Sequence, residues 1–356
     1  MRDLSRLTFI EIGIPWLKTA FPEQTICFSP YHTRGNADPK GGLYPISLST
    51  LPKLNALLRD PGTSMIACRP LYYAPWHWQW IARELFTRRA LQGQSRLFAP
   101  YGAQLLRQNN LPPIAILDTE DFPGIKPDRY FLLSRCHAYF KRELPPDRWR
   151  LFMGTAHADL PTRRFRGQQK FREWIGKVRP LSIGLPMPLH KSLPFTSEEK
   201  TADVFFVGDV ERSSTLRNTG IAELLALRDA GLKVDIPAER LPLDEFYKRA
   251  SRAWLIWSPE GLGWDCFRHY EASACGSVPV INQPGIDRHQ PLVEGKHAFY
   301  YDPAPGHLSA TIRSALADKD RLRAMAASGQ AHVMMHHTPD ALARYVVEAT
   351  LDARQR

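Results

Sequence analysis

Apolar and polar positions alternate most regularly after residue 203. Residues 203–207 and 253–257 are short apolar runs typical of buried strands, and each is followed by a loop and then by apolar residues at helical spacing. Strands and helices that alternate in this way predict a parallel sheet with helices on its faces. The other elements predicted in this half are strands at 233–236, 278–282 and 297–301 and helices at 216–230, 243–250, 268–275, 308–317, 320–333 and 341–351.

The first half of the chain is less regular, with short apolar runs separated by Pro, Gly and polar clusters. Residues 78–91 have the spacing of a helix, so an α/β sheet is predicted here too, without a defined strand order. Gly, Asp and Lys residues in 35–42 predict a mobile loop. The strands that the pattern predicts in this half are at 7–14, 64–68, 96–99 and 114–117.

Two stretches near the middle of the chain separate these halves. Residues 163–179 combine Lys and Arg with apolar residues at helical spacing, which predicts a basic amphipathic helix. Such a helix either covers the domain junction with a solvated face or contacts an anionic membrane. The Pro-rich segment at 186–194 predicts an extended linker. The predicted division is an N-terminal domain at 1–185, a linker at 186–202, a C-terminal domain at 203–337, and a helix at 338–356 that could pack back on the N-terminal domain.

Length and composition allow two globular domains and restrict the partners. At 356 residues the chain exceeds the usual size of one domain, and 44% hydrophobic residues suffice for two cores. The net charge of +11 and the pI of about 9.5 favour anionic partners, without choosing among nucleic acids, membranes and phosphorylated small molecules. The five cysteines contain no Cys-x-x-Cys pair, which indicates a reducing compartment rather than a disulfide framework or a zinc ribbon.

Residues 258–271 carry the strongest sign of chemistry. Gly261 and Gly263 follow a predicted strand and precede a helix, whose first N–H groups favour phosphate. In an open parallel sheet, ligands bind at this carboxyl edge. Arg268 would lie in the first helical turn and could clamp a diphosphate, and Glu271, one turn later, could accept hydrogen bonds from ribose hydroxyls.

Each of these residues also has a purely structural explanation. Arg268 and Glu271 have the spacing of an exposed ion pair on a helix, worth about 0.2–0.5 kcal/mol. Gly261 and Gly263 could be ordinary turn residues. The combination of a strand, a glycine loop, an Arg-x-x-Glu helix, a terminal Gly276 and a Val-Pro-Val strand favours a ligand site.

The sequence from 258 to 281 resembles the donor-binding signature of GT-B glycosyltransferases, most closely that of the exostosin-like and CgeB-like branches. The resemblance implies two Rossmann-like α/β domains facing each other across a cleft, with Arg268 on the donor diphosphate and Glu271 on the ribose or sugar. Inversion or retention stays open, because many retaining enzymes of this fold carry two glutamates at a shorter spacing than Glu260 and Glu271. The matching residues are Ser258, Pro259, Gly261, Gly263, Asp265, Arg268, Glu271, Ala272, Gly276, Pro279 and Val280.

Upstream motifs extend the resemblance toward the N-terminus. Residues 117–121 and 140–144 are similar to Asp-x-Glu-Asp and Phe-Lys-Arg-Glu elements of the same group, and residues 183–186 to the segment before its domain crossover. The first hundred residues match no motif of the family. In this fold they form much of the acceptor site.

The acidic cluster after the strand at 114–117 supplies candidates for a catalytic base. An inverting transferase needs a base to deprotonate the acceptor hydroxyl, and Asp121 or Glu120 could face the cleft. Both residues could instead cap the next element or bind nearby Arg and Lys side chains. His32, in a loop near the N-terminus, is a third candidate.

Further donor contacts are predicted around the glycine loop. The first turn of the C-terminal half places Arg212 and Arg217 where they could approach a diphosphate, and the signature adds Ser258 and Asp265. Residues 118–120 resemble an Asp-x-Asp metal motif only loosely. The resemblance therefore implies no metal and no cofactor besides the nucleotide-sugar donor.

These observations predict a hexosyl- or pentosyltransferase that moves a sugar from a nucleotide-diphosphate donor to a glycan, lipid-linked or other acceptor, as in polysaccharide biosynthesis. The alternatives are a non-catalytic GT-B-like scaffold and a nucleic-acid-binding protein, although we find no nucleic-acid-binding signature and expect no such partner. The N-terminus lacks the apolar stretch of a signal peptide, and no apolar run would span a bilayer. We expect a cytoplasmic protein, soluble or peripheral on the inner face of the membrane.

Overall fold

The protein is built on two parallel sheets that follow one another along the chain. The computed structural model describes residues 2–30, 37–70, 99–153, 168–187, 189–195 and 199–354. Within these residues the first sheet has seven strands and the second has five. We refer to the parts of the chain that form them as the N-terminal half and the C-terminal half.

The strand order of the first sheet is β3-β2-β1-β4-β5-β6-β7, with every pair parallel. The order reverses between β1 and β4, so the loops after these two strands diverge and open a crevice at the carboxyl edge. The strands are β1 (Phe9–Ile12), β2 (Thr25–Ser29), β3 (Leu43–Pro45), β4 (Met65–Cys68), β5 (Ile114–Asp118), β6 (Ala138–Lys141) and β7 (Val178–Pro180).

Helices cover both faces of this sheet and bury an apolar cluster on each. Because both faces are covered, β1, β4 and β5 are buried at every position and show no polar alternation. The described helices of this half are α1 (Leu17–Ala20), α2 (Leu51–Leu58), α3 (Ala99–Gln104), α4 (Tyr130–Arg135) and α5 (Gln169–Gly176), with single 3-10 turns at Leu105–Arg107, Pro127–Arg129 and Arg148–Phe152.

The second sheet has the order β12-β11-β10-β8-β9 and is also parallel throughout. Its order reverses between β8 and β10, which opens a second crevice at the carboxyl edge. Its strands are β8 (Ala202–Phe205), β9 (Val234–Asp235), β10 (Ala253–Trp257), β11 (Val278–Asn282) and β12 (Phe299–Tyr301), and its helices are α6 (Thr215–Asp229), α7 (Leu243–Ser251), α8 (Phe267–Ala274), α9 (His307–Leu316) and α10 (Lys319–His336).

Local sequence explains how α6 begins, ends and packs. The Ser214 side chain accepts a hydrogen bond from the N–H of Leu216 at 3.1 Å and caps the first turn. Gly231 follows the helix with a φ of +96°, a conformation that favours glycine. In the middle of the helix, a Cβ at Gly220 would lie 2.1 Å from the indole ring of Trp257. The absence of that Cβ allows α6 to pack closely on β10.

The last helix, α11 (Pro339–Arg354), packs on the N-terminal half. Its Ala343, Val346 and Val347 belong to the apolar cluster that contains Phe9 and Phe140 of the first sheet. The chain therefore crosses between the halves twice, first at residues 181–201 and again at residues 337–338. The two crossings are in contact, because the N–H of Leu185 donates to the carbonyl of His337 at 2.8 Å.

The elements predicted for the C-terminal half are confirmed to within a few residues, whereas the N-terminal half needs corrections. The predictions miss β2, β3, β6 and β7, of which β3 and β7 have only three residues each and β6 ends on the charged Lys141. The strand predicted at 96–99 is wrong at Ala99, which begins α3; its other residues, and the helix predicted at 78–91, lie outside the described residues.

The basic helix predicted at 163–179 is shorter in its described part. It ends at Gly176, and residues 178–180 pair with β6 as β7. The ring of Phe171 packs edge-on against Phe152 and Trp174, with centroids 5.0 and 4.9 Å away. These apolar side chains are therefore used inside the protein, which favours a helix with a solvated charged face.

Candidate functional site between the two sheets

Two cavities meet at the carboxyl edge of the second sheet. The loops after β8 and β10 diverge there, and α8 begins directly behind the second loop. Arg268 lies in the first turn of α8 and Glu271 one turn later, and both residues line both cavities. The pair therefore forms a wall that the two cavities share.

The larger cavity has a volume of about 710 Å³ and lies within the C-terminal half. Gly208 and Asp209 line it on one side, and residues 237–241 with Phe246 line it on the other. Concave sites that combine apolar walls with a few polar groups are typical of small-molecule pockets.

The smaller cavity, of about 400 Å³, lies between the two halves. Asp121 and Arg142 come from the N-terminal half, whereas Arg217, Gly261 and Phe267 come from the C-terminal half. The carboxyl edges of the two sheets therefore face each other across this cavity.

Arg268 is a buried cation that forms no ion pair within the described part of the chain. Its Nη1 is buried and has no hydrogen-bond partner among the described residues. A Cβ at Gly208 would lie 2.5 Å from Nη2, so this glycine leaves room for the guanidinium group, which also lies 5.1 Å from the ring centroid of Phe206. Burial, and then the nearby charge of Arg217, lower the pKa of Arg268 to about 10.

Arg217 is the second buried cation of the site, 7% exposed. Its Nε donates to the carbonyl of Glu260 at 3.0 Å and its Nη1 to the carbonyl of Asp209 at 2.7 Å. It thereby ties the loop after β8 to the loop after β10. Within the described residues neither Arg217 nor Arg268 forms an ion pair with a carboxylate. Two neighbouring unpaired guanidinium groups favour an anionic ligand with several oxygens.

Glu271 faces the same cavities from α8. It is 8% exposed and accepts a hydrogen bond from the hydroxyl of Tyr247 at 3.2 Å. Burial raises the pKa of its carboxyl group. A carboxylate with one described partner keeps acceptor capacity for hydroxyl groups of a ligand.

A buried histidine stiffens the glycine loop. Ser258 is fully buried, and its Oγ lies 2.7 Å from Nδ1 of His269, whose Nε2 lies 2.8 Å from the carbonyl of Trp264. Burial lowers the pKa of His269 to about 3, so the ring is neutral at pH 7. Nε2 therefore carries the proton and donates to Trp264, while Nδ1 accepts from Ser258.

Carboxylates join the two halves beside this loop. Glu143 accepts the N–H groups of Trp264 and Asp265 at 3.0 and 3.1 Å. Asp265 in turn accepts the N–H of Ile183 at 2.5 Å and the hydroxyl of Tyr270 at 2.6 Å. Burial raises the pKa of Asp265 to about 6.

The acidic cluster after β5 consists of three different ion pairs. Asp118 is fully buried 3.0 Å from Nζ of Lys141. Glu120 is buried against Arg129 at 2.7 Å. Asp121 pairs with Arg142, but its side chain is 48% exposed and lines the smaller cavity. Only Asp121 of these three carboxylates lines either cavity.

Solved structures with the same architecture cover nearly the whole chain. A glycosyltransferase from Rickettsia africae matches with a TM-score of 0.51 and 10% identity, over 99% of this chain and 100% of that one. HepE of Anabaena, in complex with UDP, matches with a TM-score of 0.51 and 11% identity over 96% and 99% of the two chains. Sucrose-phosphate synthase from Thermosynechococcus elongatus gives a TM-score of 0.51 and 13% identity over 96% and 98%. The fold is GT-B.

Part of the C-terminal half also matches a known family by sequence. Residues 249–348 match a family model described as Glycosyl transferase-like. That match includes α8 with Arg268 and Glu271, and it supports glycosyl transfer as the function. A search among curated protein sequences found no match.

The GT-B cleft brings together most of the predicted donor residues and excludes others. Arg268, Glu271, Arg217, Gly261 and Gly263 all line the cavities. The remaining predictions need three corrections.

The first two corrections concern buried side chains. Ser258 has no exposed surface, so it supports the glycine loop through His269 instead of contacting a donor. Asp265 lines the smaller cavity as predicted, but it is 3% exposed and both of its oxygens accept hydrogen bonds inside the protein, so it holds the segment at Ile183.

The third correction concerns Arg212, whose side chain is exposed and lines neither cavity. Its described hydrogen bond is made by the backbone N–H, which donates to Asp209 at 3.0 Å. Among the candidate bases, the buried ion pair with Arg129 does not favour Glu120. His32 lies outside the described residues.

Sequence reasoning missed Gly208, Arg142 and Glu143 as parts of the site. The position of Gly208 directly after the first strand of the half could have identified it. No spacing rule connects Glu143 with Trp264, because the contact spans 121 positions.

In the described part of the chain, no group of three or more His, Cys, Asp or Glu residues is arranged to hold a metal ion. None of the described helices has the length and apolar character needed to cross a membrane.

Proposed function

We propose that the protein is a glycosyltransferase that binds a nucleotide-diphosphate-sugar donor at Arg217, Arg268 and Glu271 and transfers the sugar to an acceptor across the cleft. The observation that carries this proposal is a pair of buried guanidinium groups that form no ion pair with any described carboxylate and lie where two cavities meet. The UDP complex of Anabaena HepE, which has the same fold, supports a nucleotide ligand.

Each part of the donor is assigned to a different region of the two cavities. The nucleoside occupies the larger cavity, with its ribose hydroxyls donating to Glu271. The diphosphate lies between Arg217 and Arg268, and the sugar enters the smaller cavity. We propose a metal-independent reaction, because two guanidinium groups supply the positive charge that stabilises a diphosphate leaving group.

Asp121 is the proposed catalytic base, because it is the acidic-cluster residue that lines the cleft. The acceptor hydroxyl attacks the anomeric carbon of the sugar, its proton passes to the Asp121 carboxylate, and the bond to the diphosphate oxygen breaks. The nucleoside diphosphate then leaves. A single displacement of this kind inverts the configuration at the anomeric carbon. Arg142, which also lines this cavity, forms an ion pair with Asp121.

The side chains at the mouth of the smaller cavity favour an acceptor with an apolar part. Leu262 and Phe267 line this cavity and are 76% and 43% exposed. Apolar surface exposed at a binding cleft favours an apolar ligand group. Among glycan and lipid-linked acceptors, this surface favours the lipid-linked class.

Calorimetry with UDP, GDP and ADP, and with their sugar conjugates, tests the proposal. Arg268→Ala and Glu271→Ala should weaken binding about 10- to 100-fold, since each removes hydrogen bonds to a charged group. Arg228→Ala removes an equal charge at an exposed position on α6 and should leave binding unchanged. If the wild-type chain bound none of these ligands, a non-catalytic scaffold would replace this proposal.

A further inference from the structure

The glycine loop of the C-terminal half is held by a carboxylate from the other half. Glu143 follows β6 and is 4% exposed. Its Oε2 accepts the N–H of Trp264 at 3.0 Å, and its Oε1 accepts the N–H of Asp265 at 3.1 Å. Charge-assisted hydrogen bonds of this kind are about twice as strong as neutral ones.

The contact depends on the absence of a side chain at Gly263. A Cβ there would lie 2.6 Å from Oε1 of Glu143 and 2.9 Å from Nη2 of Arg142. Both distances are shorter than the contacts that Cβ atoms make in proteins, so a side chain at this position would displace the carboxylate. Gly263 therefore has a different role from a phosphate-binding glycine, since it admits Arg142 and Glu143.

A second carboxylate, from the C-terminal half, makes a contact in the opposite direction. Asp265 accepts the N–H of Ile183, which lies in the first crossing between the halves. Glu143 of the N-terminal half thus binds two N–H groups of the C-terminal half, and Asp265 of the C-terminal half binds one N–H group of the first crossing. We call the contacts of Glu143 with Trp264 and Asp265, and of Asp265 with Ile183, the interdomain clamp.

We infer that Glu143 is a positioning residue for the donor site and couples donor affinity to the approach of the two halves; this inference rests on the proposed function. The loop at 261–265 leads directly into α8, so its conformation sets the position of Arg268. The N–H groups of Trp264 and Asp265 are bound by Glu143. The donor diphosphate is accordingly held by Arg217 and Arg268.

Arg142, which precedes Glu143 in the sequence, connects the interdomain clamp to the acceptor side of the cleft. Arg142 pairs with Asp121, the proposed base, and its Nε lies 3.4 Å from Oε1 of Glu143. Residues 142–143 therefore contact both the base and the donor loop. Opening of the cleft breaks both arrangements together.

Nucleotide affinity of the full chain, measured by calorimetry with UDP, GDP and ADP in turn, tests this inference. Glu143→Gln keeps the size of the side chain but opposes a backbone N–H with an amide NH₂ group. We expect about a tenfold or larger loss of affinity for the nucleotide that the wild-type chain binds, within the usual 5- to 150-fold range of coupling between sites. The donor KM should rise in parallel.

Glu223→Gln is the matched control. Glu223 also accepts two backbone N–H groups, those of Gly306 at 3.0 Å and Ser309 at 2.9 Å, but these residues line neither cavity. Both variants should lower the melting temperature. Only Glu143→Gln should lower nucleotide affinity, which separates positioning of the donor site from general stability.

A double-mutant cycle addresses the same contact from its other side. Gly263→Ala should weaken binding in the wild-type chain and have a smaller effect in a Glu143→Ala background, where only the close contact with Arg142 remains. If Glu143→Gln does not fold, the Gly263→Ala variant, which keeps Glu143, decides the question by its loss of nucleotide affinity. Additive effects, or equal affinities of the Glu143→Gln and Glu223→Gln variants, would overturn the inference and leave the proposed function intact. A wild-type chain that binds no nucleotide would overturn both.

Discussion

At the residue scale, identical side chains have different roles because their surroundings differ. Arg217 donates to two backbone carbonyls and connects two loops, whereas the neighbouring Arg268 retains a buried Nη1 without a partner in the described residues. Asp118 and Asp121 differ in the same way, since the first is fully buried against Lys141 and the second lines the cleft. Function at this scale follows from how far each charged group is exposed to the cavities and from the partners it has.

Asp121→Asn should separate catalysis from donor binding. Loss of a general base typically costs about 10²- to 10⁴-fold in rate, so kcat should fall by that amount. The nucleotide affinity should change little, because Arg217, Arg268 and Glu271 are unaltered. Transfer assays and calorimetry on the same preparation measure both quantities.

Asp128→Asn provides the control for this prediction. Asp128 is an exposed carboxylate of the same segment and lines neither cavity. It should retain wild-type kcat. An Asp121→Asn variant with undiminished kcat would assign the base to another residue.

At the scale of elements, the end of α10 is fixed by histidines that stay neutral. His337 is fully buried, its Nε2 lies 2.8 Å from the carbonyl of Gln290, and burial lowers its pKa to about 3. Burial likewise lowers the pKa of His289 to about 4. His332 and His336 are further neighbours, and their positive charge would oppose protonation of His337. The second crossing between the halves is therefore sensitive to acid.

The free energy of unfolding should fall between pH 7.5 and pH 5.5. The folded-state pKa of His337 lies below its ordinary value of 6.5, so its contribution is present above that pH and is lost as the pH falls toward 3. One such histidine accounts for about 1 kcal/mol over this interval. The raised pKa of Asp265, about 6, acts in the opposite direction below that pH.

Urea unfolding at the two pH values isolates the histidine. His337→Asn should reduce the pH dependence by about 1 kcal/mol relative to the wild-type chain, since the contribution of Asp265 is common to both. His307→Asn, which replaces an exposed histidine, is the control for the substitution itself. An equal pH dependence in the wild-type and His337→Asn proteins would exclude this explanation.

At the scale of the whole molecule, the last helix, α11, follows the C-terminal half in the sequence but packs on the N-terminal half. Val346 of α11 is fully buried in the cluster on the first sheet, whereas Val333 of α10 is fully buried in a cluster on the second. Together with the interdomain clamp, the packing of α11 on the first sheet connects the two halves beyond the linker.

Val346→Ala should destabilise the N-terminal half in particular. Removing two buried methyl groups costs about 2 kcal/mol, including the cavity left behind. Amide exchange should accelerate in β5 and β6, which α11 contacts, more than in β10 and β11. Val333→Ala should give the reverse pattern, and identical patterns would mean that the halves unfold as one unit.

The sequence by itself determined the elements of the C-terminal half and the Arg268–Glu271 pair. Local information suffices there, because apolar periodicity defines a strand or a helix and a glycine loop at a strand end defines a ligand edge. It could not determine short strands such as β7, which depend on a neighbouring strand for their pairing.

Only the tertiary structure decided which polar and charged side chains are free to bind a ligand. Ser258, Asp265 and Glu120 match the signature or the expected chemistry as well as Arg268 does, yet each is bound inside the protein. The contact of Glu143 with the glycine loop spans more than a hundred positions, so no local pattern encodes it. The energy of a charged side chain depends on its burial and on its partners, and both are fixed when the two halves meet.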